Sequence, residues 1–142
     1  MKIVHIPFFH KKFASTTSAV AEALREALEA LTEKGWCDRD RTFSIRLCLE
    51  EALVNAVVHG NRNEPKRQVT VRIFDEGDGC RICVQDEGNG FDPETIEMAD
   101  CTELGGRGVC LIKEYMEDVS FNCANQCLEM VFKRDTFSED CK

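Results

Sequence analysis

Residues 49–61 read Leu-Glu-Glu-Ala-Leu-Val-Asn-Ala-Val-Val-His-Gly-Asn, and the rest of the chain is interpreted outward from this stretch. It is predicted to form the C-terminal half of a helix over residues 40–60, because apolar residues recur there at helical spacing. Glu51, Asn55 and His59 follow one another at four-residue intervals, on the shoulder of the apolar stripe. These polar groups are costly to bury without partners. By themselves they also fit a capped, partly solvated helix end, and glycine-rich sequence further on favours a binding site.

The whole composition indicates one soluble domain. The chain has 142 residues, 43% of them hydrophobic and 31% charged, with a net charge of −8. The negative charge argues against direct binding to nucleic acid. The N-terminus is too short and interrupted for a signal peptide, and no apolar run approaches the ~18 residues of a membrane span. We expect a cytoplasmic protein with no membrane association, in which a single domain over residues 1–135 precedes a polar tail over residues 136–142.

Periodicity and turn residues predict the remaining elements. They are a strand over residues 2–9, a helix over Ser15–Leu31, a hairpin of Gln68–Asp75 and Cys80–Asp86, a helix over Gly108–Met116, and a hairpin of Val119–Asn122 and Cys127–Arg134. Residues 87–107 form a long loop, which in a compact domain is usually functional. This order predicts an α/β fold: a two-layer α/β sandwich whose mixed, mostly antiparallel sheet is covered on one face by helices.

The nine cysteines are predicted to be mainly small core residues in a reducing compartment. Their number is odd, which does not favour a framework of disulfides. Cys80 and Cys83 have the spacing of a metal-binding pair, but residues three apart on a strand point to opposite faces. Cys123 and Cys127 do not form a second such pair, so a four-ligand zinc site has weak support.

Two glycine-rich segments follow, Asp86-Glu-Gly-Asn-Gly-Phe-Asp92 and Leu104-Gly-Gly-Arg-Gly-Val109. Asp86 comes directly after a strand, where a carboxylate can accept a hydrogen bond from an exocyclic amine such as that of adenine. The second segment opens a helix, whose backbone N–H groups favour an anion. Asn55 can offer an amide oxygen to Mg²⁺. Glu51, one turn earlier, is placed to deprotonate or orient a nucleophile near the terminal phosphate.

In combination these segments resemble the histidine-kinase-like ATPase superfamily, which has the Bergerat ATP-binding fold. Residues 51–60 are similar to its N box, residues 86–90 to its first glycine box and residues 105–108 to its second. The closest resemblance is to the anti-sigma factor serine/threonine-protein kinase family of bacteria. Gly-Phe-Asp-Pro at residues 90–93 and Met-Glu-Asp-Val at residues 116–119 match that family as well.

The resemblance implies an ATP- and Mg²⁺-dependent serine/threonine-protein kinase that acts as an anti-sigma factor. Its implied partners are a sigma factor and a small serine-bearing antagonist protein, and a homodimer is a further expectation. Glu51 is the implied general base, Asn55 the Mg²⁺ ligand, Asp86 the adenine anchor and residues 91–106 the ATP lid. The other implied nucleotide-binding residues are His59, Gly88, Gly90, Gly105, Gly106, Arg107, Gly108 and Val109.

Two alternatives remain open in the sequence. Glu50 is a second carboxylate next to Glu51, and only the four-residue spacing to Asn55 favours Glu51. A regulatory module that binds ATP or ADP and captures a protein partner without phosphoryl transfer would need the same nucleotide site. The ATPase fragment of a sensor histidine kinase is disfavoured, because no helical dimerisation segment with a phosphoacceptor histidine precedes the domain.

Overall fold

The computed structural model describes residues 6–37, 41–87, 112, 115–122 and 127–133. These contain five strands, namely β1 (Phe9–Ala14), β2 (Gln68–Asp75), β3 (Gly79–Gln85), β4 (Asp118–Asn122) and β5 (Cys127–Lys133). Two helices lie between the first two strands: α1 (Thr17–Glu33) and α2 (Thr42–Asn55), the second of which continues into a π-helical turn (Ala56–Gly60). Neither of these helices combines the length and the hydropathy that a membrane span requires.

The five strands form one sheet in the order β1-β2-β3-β5-β4. Each neighbouring pair is antiparallel, so the described part of the sheet has no parallel pair. Both predicted hairpins are confirmed. In the first, Gly77 takes a φ of +88°, and the N–H of Glu76 donates to the carbonyl of Gly79 at 2.9 Å. Residues 76–79, Glu-Gly-Asp-Gly, therefore form the tight turn between β2 and β3.

The helices cover one face of the sheet, as the predicted two-layer α/β sandwich requires. A single hydrophobic core joins the two layers. Its largest fully buried apolar side chains come from both helices, from the inner face of the sheet and from the helical residue Ile112: Leu31, Leu49, Leu53, Ile73, Ile82, Ile112, Met130 and Phe132. An ion pair between Lys11 Nζ and Glu26 Oε2, at 2.7 Å, links the edge strand β1 to α1.

Helix α1 begins and ends close to the predicted positions. Thr16 is its N-cap and accepts a hydrogen bond from the N–H of Ala19 at 3.2 Å. Ser15, the first residue of the predicted helix, belongs to a different network described below. The helix ends before Gly35, whose φ of +79° is the left-handed conformation common after a helix. The apolar side chains of α1 face the core, and Leu28 among them is only partly buried.

The predicted first strand over residues 2–9 is wrong over residues 6–8, which are not in a strand, and residues 2–5 lie outside the described part of the chain. Strand β1 spans Phe9–Ala14 and pairs with β2 along that length. Three consecutive basic residues from His10 to Lys12 conceal the alternation of the true strand. Phe13 is buried on the helical side, and Lys11 lies on the same side, where it pairs with Glu26. A charged residue thus occupies a position at which a sequence pattern expects an apolar one.

Several predictions fall outside the described residues. These include the loop beyond Glu87 with its implied lid, residues 108–111 of the last predicted helix, and the tail. Ile112 and Tyr115 are helical, and the N–H of Met116 donates to the carbonyl of Ile112 at 2.9 Å, so the predicted helix ends where expected.

Candidate functional site

A small cavity lies between α2 and the sheet, and it contains both polar residues that the sequence placed together. Asn55 reaches it from the last turn of α2, and Asp86 reaches it from the residue after β3. Its apolar walls come from α2, β3, β4 and β5 and the start of the π-helical turn: Ala52, Ala56, Val84, Phe121 and Leu128. Polar groups that converge in an apolar recess are typical of small-molecule sites.

Asp86 is almost fully buried, with 7% of its surface exposed, and its position depends on Gly60. A Cβ atom built on Gly60 would lie 2.2 Å from Asp86 Oδ2 and 2.4 Å from Asp86 Cγ. The carboxylate therefore occupies the space that any other residue at position 60 would need. The glycine at the end of the predicted helix is explained by this close approach.

Asn55 is 3% exposed, and its amide nitrogen has no hydrogen-bond partner among the described residues. Leaving a buried donor unsatisfied costs about 1–3 kcal/mol. Such a group indicates a site completed by a ligand. Since a half-turn exchanges the two ends of an amide, the same residue can present its oxygen, which is the end that Mg²⁺ binds. The residues present therefore fit a magnesium–nucleotide ligand.

Asn61 holds the two halves of this site together, a role that the sequence analysis did not assign to it. Its side chain is fully buried. The amide donates to Ser15 Oγ at 2.7 Å and to the Gln68 carbonyl at 3.0 Å, and its oxygen accepts from the N–H of Glu87 at 2.8 Å. Asn61 thus joins the end of the π-helical turn to β2 and to the residue following Asp86. Its partners are distant in sequence, so no local pattern signals the role.

The two neighbouring carboxylates on α2 are separated by the structure. Glu50 lines a groove between α1 and α2, away from the cavity that holds Asn55. Glu51 lies one turn before Asn55 and close to Cys48: burial, assisted by the negative charge of Glu51, raises the pKa of the Cys48 thiol to about 11. The structure thus separates the two carboxylates, and the choice of Glu51 made from spacing stays a prediction.

His59 lies in the π-helical turn, which the sequence did not predict. The N–H of Asn61 donates to the carbonyl of Ala56 at 2.8 Å, a five-residue interval in place of the usual four. The regular spacing from Asn55 to His59 is therefore broken. Neither Glu51 nor His59 lines the small cavity. Both side chains are half-buried.

The remaining predicted site residues lie outside the described part of the chain. They are Gly88, Gly90, Gly105, Gly106, Arg107, Gly108 and Val109.

The groove between α1 and α2 is much larger, about 620 Å³, and is mainly apolar. Arg25, Arg46 and Glu50 are its charged lining residues. It has no buried polar group comparable to Asn55 or Asp86, so the described residues place the candidate site in the smaller cavity.

Comparison with known proteins agrees with this geometry. The family model of the histidine kinase-like ATPase domain matches residues 13–132. The serine-protein kinase RsbW of Listeria monocytogenes is 27% identical over 105 residues, which cover 67% of each chain. The anti-sigma F factor of Anoxybacillus flavithermus is 26% identical over 113 residues, covering 74% of this chain and 68% of its own.

A solved structure shows the same fold. It is the histidine kinase domain of a blue-light activated histidine kinase from Erythrobacter litoralis, with a TM-score of 0.53 and 19% sequence identity. The match covers 82% of this chain and 62% of that one, so at this identity it supports the fold alone. The family match covers well over half of the sequence, and the chain belongs to the family of histidine kinase-like ATPase domains.

Proposed function

We propose that the protein is an ATP-dependent serine/threonine-protein kinase that acts as an anti-sigma factor. Its substrate in this proposal is a small serine-bearing antagonist protein, and its sequestered partner is a sigma factor. The observation that supports the proposal best is the cavity in which the buried Asp86 and the unsatisfied amide of Asn55 converge. The names of the relatives from Listeria and Anoxybacillus point to the same activity.

Recognition of the base is assigned to Asp86. A carboxylate at this depth is an acceptor, and it selects a ligand that presents an N–H donor to an otherwise apolar recess. The exocyclic amine of adenine is such a donor, whereas guanine presents a carbonyl oxygen at the corresponding position. Val84, Phe121 and Leu128 give the recess apolar walls, and its volume of about 10 Å³ receives the polar edge of a base and not the whole ring. The site is therefore expected to prefer ATP and ADP over GTP.

The phosphates are assigned to the other side of the cavity, where Asn55 ends the α-helical part of α2. Magnesium bound through the Asn55 oxygen would neutralise phosphate charge. The phosphates need this neutralisation because residues 75–103 include ten acidic side chains and only one basic residue, Arg81.

Glu51 is assigned the role of general base. It accepts the proton of the substrate serine hydroxyl while the serine oxygen bonds to the γ-phosphorus of ATP and the bond to ADP breaks. Glu51 precedes Asn55 by one helical turn and is half-buried, and this spacing is the basis of the assignment. Glu50 lies on the groove side and takes no part in the reaction.

The first test is nucleotide binding by calorimetry with MgATP, MgADP and MgGTP. Wild-type protein should bind the two adenine nucleotides and discriminate against GTP. Asp86→Asn should weaken ATP binding roughly 10- to 100-fold, because an amide does not reproduce a charge-assisted hydrogen bond. Wild-type affinity in this variant would remove Asp86 from the adenine-binding role.

The second test is phosphoryl transfer from γ-labelled ATP to candidate serine-bearing antagonist proteins, alone and with a sigma factor present. Label on a serine of the antagonist, followed by release of the sigma factor, is the expected result. ATP binding and sigma-factor capture without any transfer would instead support the regulatory module that binds nucleotide and performs no chemistry.

A further inference from the structure

Two cysteines and a glutamate converge on the face of the sheet opposite the helices. In the antiparallel register of β3 and β5, Cys83 pairs with Glu129 and Gln85 pairs with Cys127. Cys83, Cys127 and Glu129 therefore lie on one face, and their two Sγ atoms and a carboxylate oxygen all lie within 4.8 Å of one another. The sequence did not reveal this cluster, because its members come from different hairpins.

These two thiols are not part of the hydrophobic core. Cys80, the other cysteine on β3, belongs to the core between the layers, whereas Cys83 and Cys127 do not. They are nevertheless buried, with 8% and 6% of their surfaces exposed. The predicted division of Cys80 and Cys83 between opposite faces is thus confirmed, and the actual neighbour of Cys83 is Cys127, whose Sγ atom lies within 4.8 Å of the Cys83 Sγ atom.

Glu129 is held in place by an arginine. Arg81 Nη1 donates to Glu129 Oε1 at 2.7 Å, and Arg81 Nε donates to Glu76 Oε2 at 3.0 Å. The first contact fixes the carboxylate and leaves its second oxygen available to a further partner. A metal-binding carboxylate is commonly oriented by an outer hydrogen bond of this kind.

The surrounding charges suit a cation bound as a thiolate complex. Two thiolates and one carboxylate around a divalent cation carry a net charge of −1. Arg81 adjoins the cluster through Glu129. Arg72 is the cross-strand partner of Cys83 and donates to Gln85 Oε1 at 3.1 Å. Together with Glu76, which also pairs with Arg81, these two guanidinium groups bring the net charge of the complex and its neighbours to zero, and they would oppose a cation bound to the neutral thiols.

We propose that Cys83, Cys127 and Glu129 form a binding site for a thiophilic divalent cation of the zinc class. Soft thiolates select such ions over Mg²⁺ and Ca²⁺. A tetrahedral zinc ion with Zn–S bonds of about 2.3 Å places its ligand atoms about 3.7 Å apart. The observed atoms, within 4.8 Å of one another, need to approach by about 1 Å at most. Binding releases the two thiol protons to solvent, and a water molecule completes the coordination.

The test is a titration of the full-length, metal-free, reduced protein with Co²⁺, which reports thiolate ligands through a charge-transfer absorption. Wild-type protein should show this absorption with tetrahedral visible bands, and Zn²⁺ should abolish both. Cys83→Ser and Cys127→Ser should each lower the charge-transfer intensity and weaken binding at least about tenfold, a loss no smaller than that from removing an outer-shell partner. Cys80→Ser is the matched control, since it alters a cysteine of the same strand on the opposite face.

Glu129→Gln is a milder variant that removes the anionic ligand and preserves the shape of the side chain. It should bind Co²⁺ about tenfold more weakly while keeping thiolate absorption of full intensity at saturation. The proposal is overturned if wild-type protein gives no thiolate absorption with Co²⁺. It is equally overturned if Cys83→Ser and Cys127→Ser, folded by circular dichroism, bind as tightly and absorb as strongly as Cys80→Ser.

Discussion

The two sides of α2 have opposite characters, although their residues alternate in the same short sequence. One side carries Asn55 into a small cavity shared with Asp86, where polar groups are buried. The other side carries Glu50, Val54 and Val58 along an open groove against α1, and Val54 and Val58 remain 38% and 37% exposed. The buried amide and carboxylate thus lie in the enclosed cavity, whereas the accessible groove is mainly apolar.

This inversion shows which side is specialised for a ligand. Exposed valines cost little and need no explanation. A buried amide without a partner is unfavourable unless something else compensates. By size alone, the groove would be the candidate ligand site. The buried polar groups of the lining instead favour the smaller cavity. The following experiments test that distinction.

The largest expected effect separates the adjacent glutamates. Glu51→Ala should slow phosphoryl transfer by ~10²–10⁴-fold, the usual contribution of a positioned general base, while ATP affinity changes only a few-fold. Glu50→Gln should leave the transfer rate close to wild type, because Glu50 lines the groove. Single-turnover kinetics with labelled ATP would measure both. A large loss in the Glu50 variant with none in the Glu51 variant would exchange their roles.

Gly60→Ala tests the contact that positions Asp86. The added methyl carbon would meet the carboxylate at 2.2 Å, so Asp86 has to move and its hydrogen bond to the ligand weakens. We expect ATP affinity to fall roughly 10- to 100-fold. Val58→Ala, two residues earlier on the groove side, is the control and should bind ATP normally. Equal affinities in the two variants would show that the position of Asp86 is not critical.

Asn61→Ala should destabilise the protein by about 1–3 kcal/mol, because Glu87 and Gln68 lose partners in a buried network. Denaturation with urea, read by circular dichroism, would measure the change. The exposed neighbour Asn63, whose φ is +59°, supplies a control as Asn63→Gly, which relieves a left-handed conformation. A stability loss no larger than that of the control would contradict the clamping role.

The smallest effect is expected in the groove. Val54→Ser should change the free energy of unfolding by no more than about 0.5 kcal/mol, as is usual for exposed positions, and should leave ATP binding unchanged. Thermal unfolding with and without MgATP would show both. A strong loss of nucleotide stabilisation would mean that the groove and the cavity are coupled through α2.

The sequence predicts the helices and hairpins well wherever a repeating pattern and a turn residue coincide. The Glu-Gly-Asp-Gly turn and Gly35 are examples, because glycine is required there by backbone geometry. The placement of β1 failed, since Lys11 occupies an inward position made tolerable by Glu26 on another element. Pairings between distant elements are not encoded by any local pattern.

The candidate site was likewise predictable from the sequence only in part. Spacing alone brought Glu51 and Asn55 onto one helix, and the strand end brought Asp86 near them. The contact of Gly60 with Asp86 and the network of Asn61 depend on how the helix meets the sheet. The Cys83–Cys127 cluster depends on the register of two strands separated by more than forty residues, which the spacing of cysteines cannot reveal.

The π-helical turn also has a consequence for how the length of this segment can vary among related chains. In an α-helix, inserting or deleting one residue rotates everything downstream by about 100°. A turn bonded at five-residue intervals holds one residue more than the α-helical turn it replaces. Loss of a single residue between Ala56 and Gly60 would therefore restore regular bonding and leave Asn61 in phase with Asn55. We expect single-residue deletions to be tolerated here and nowhere else along α2.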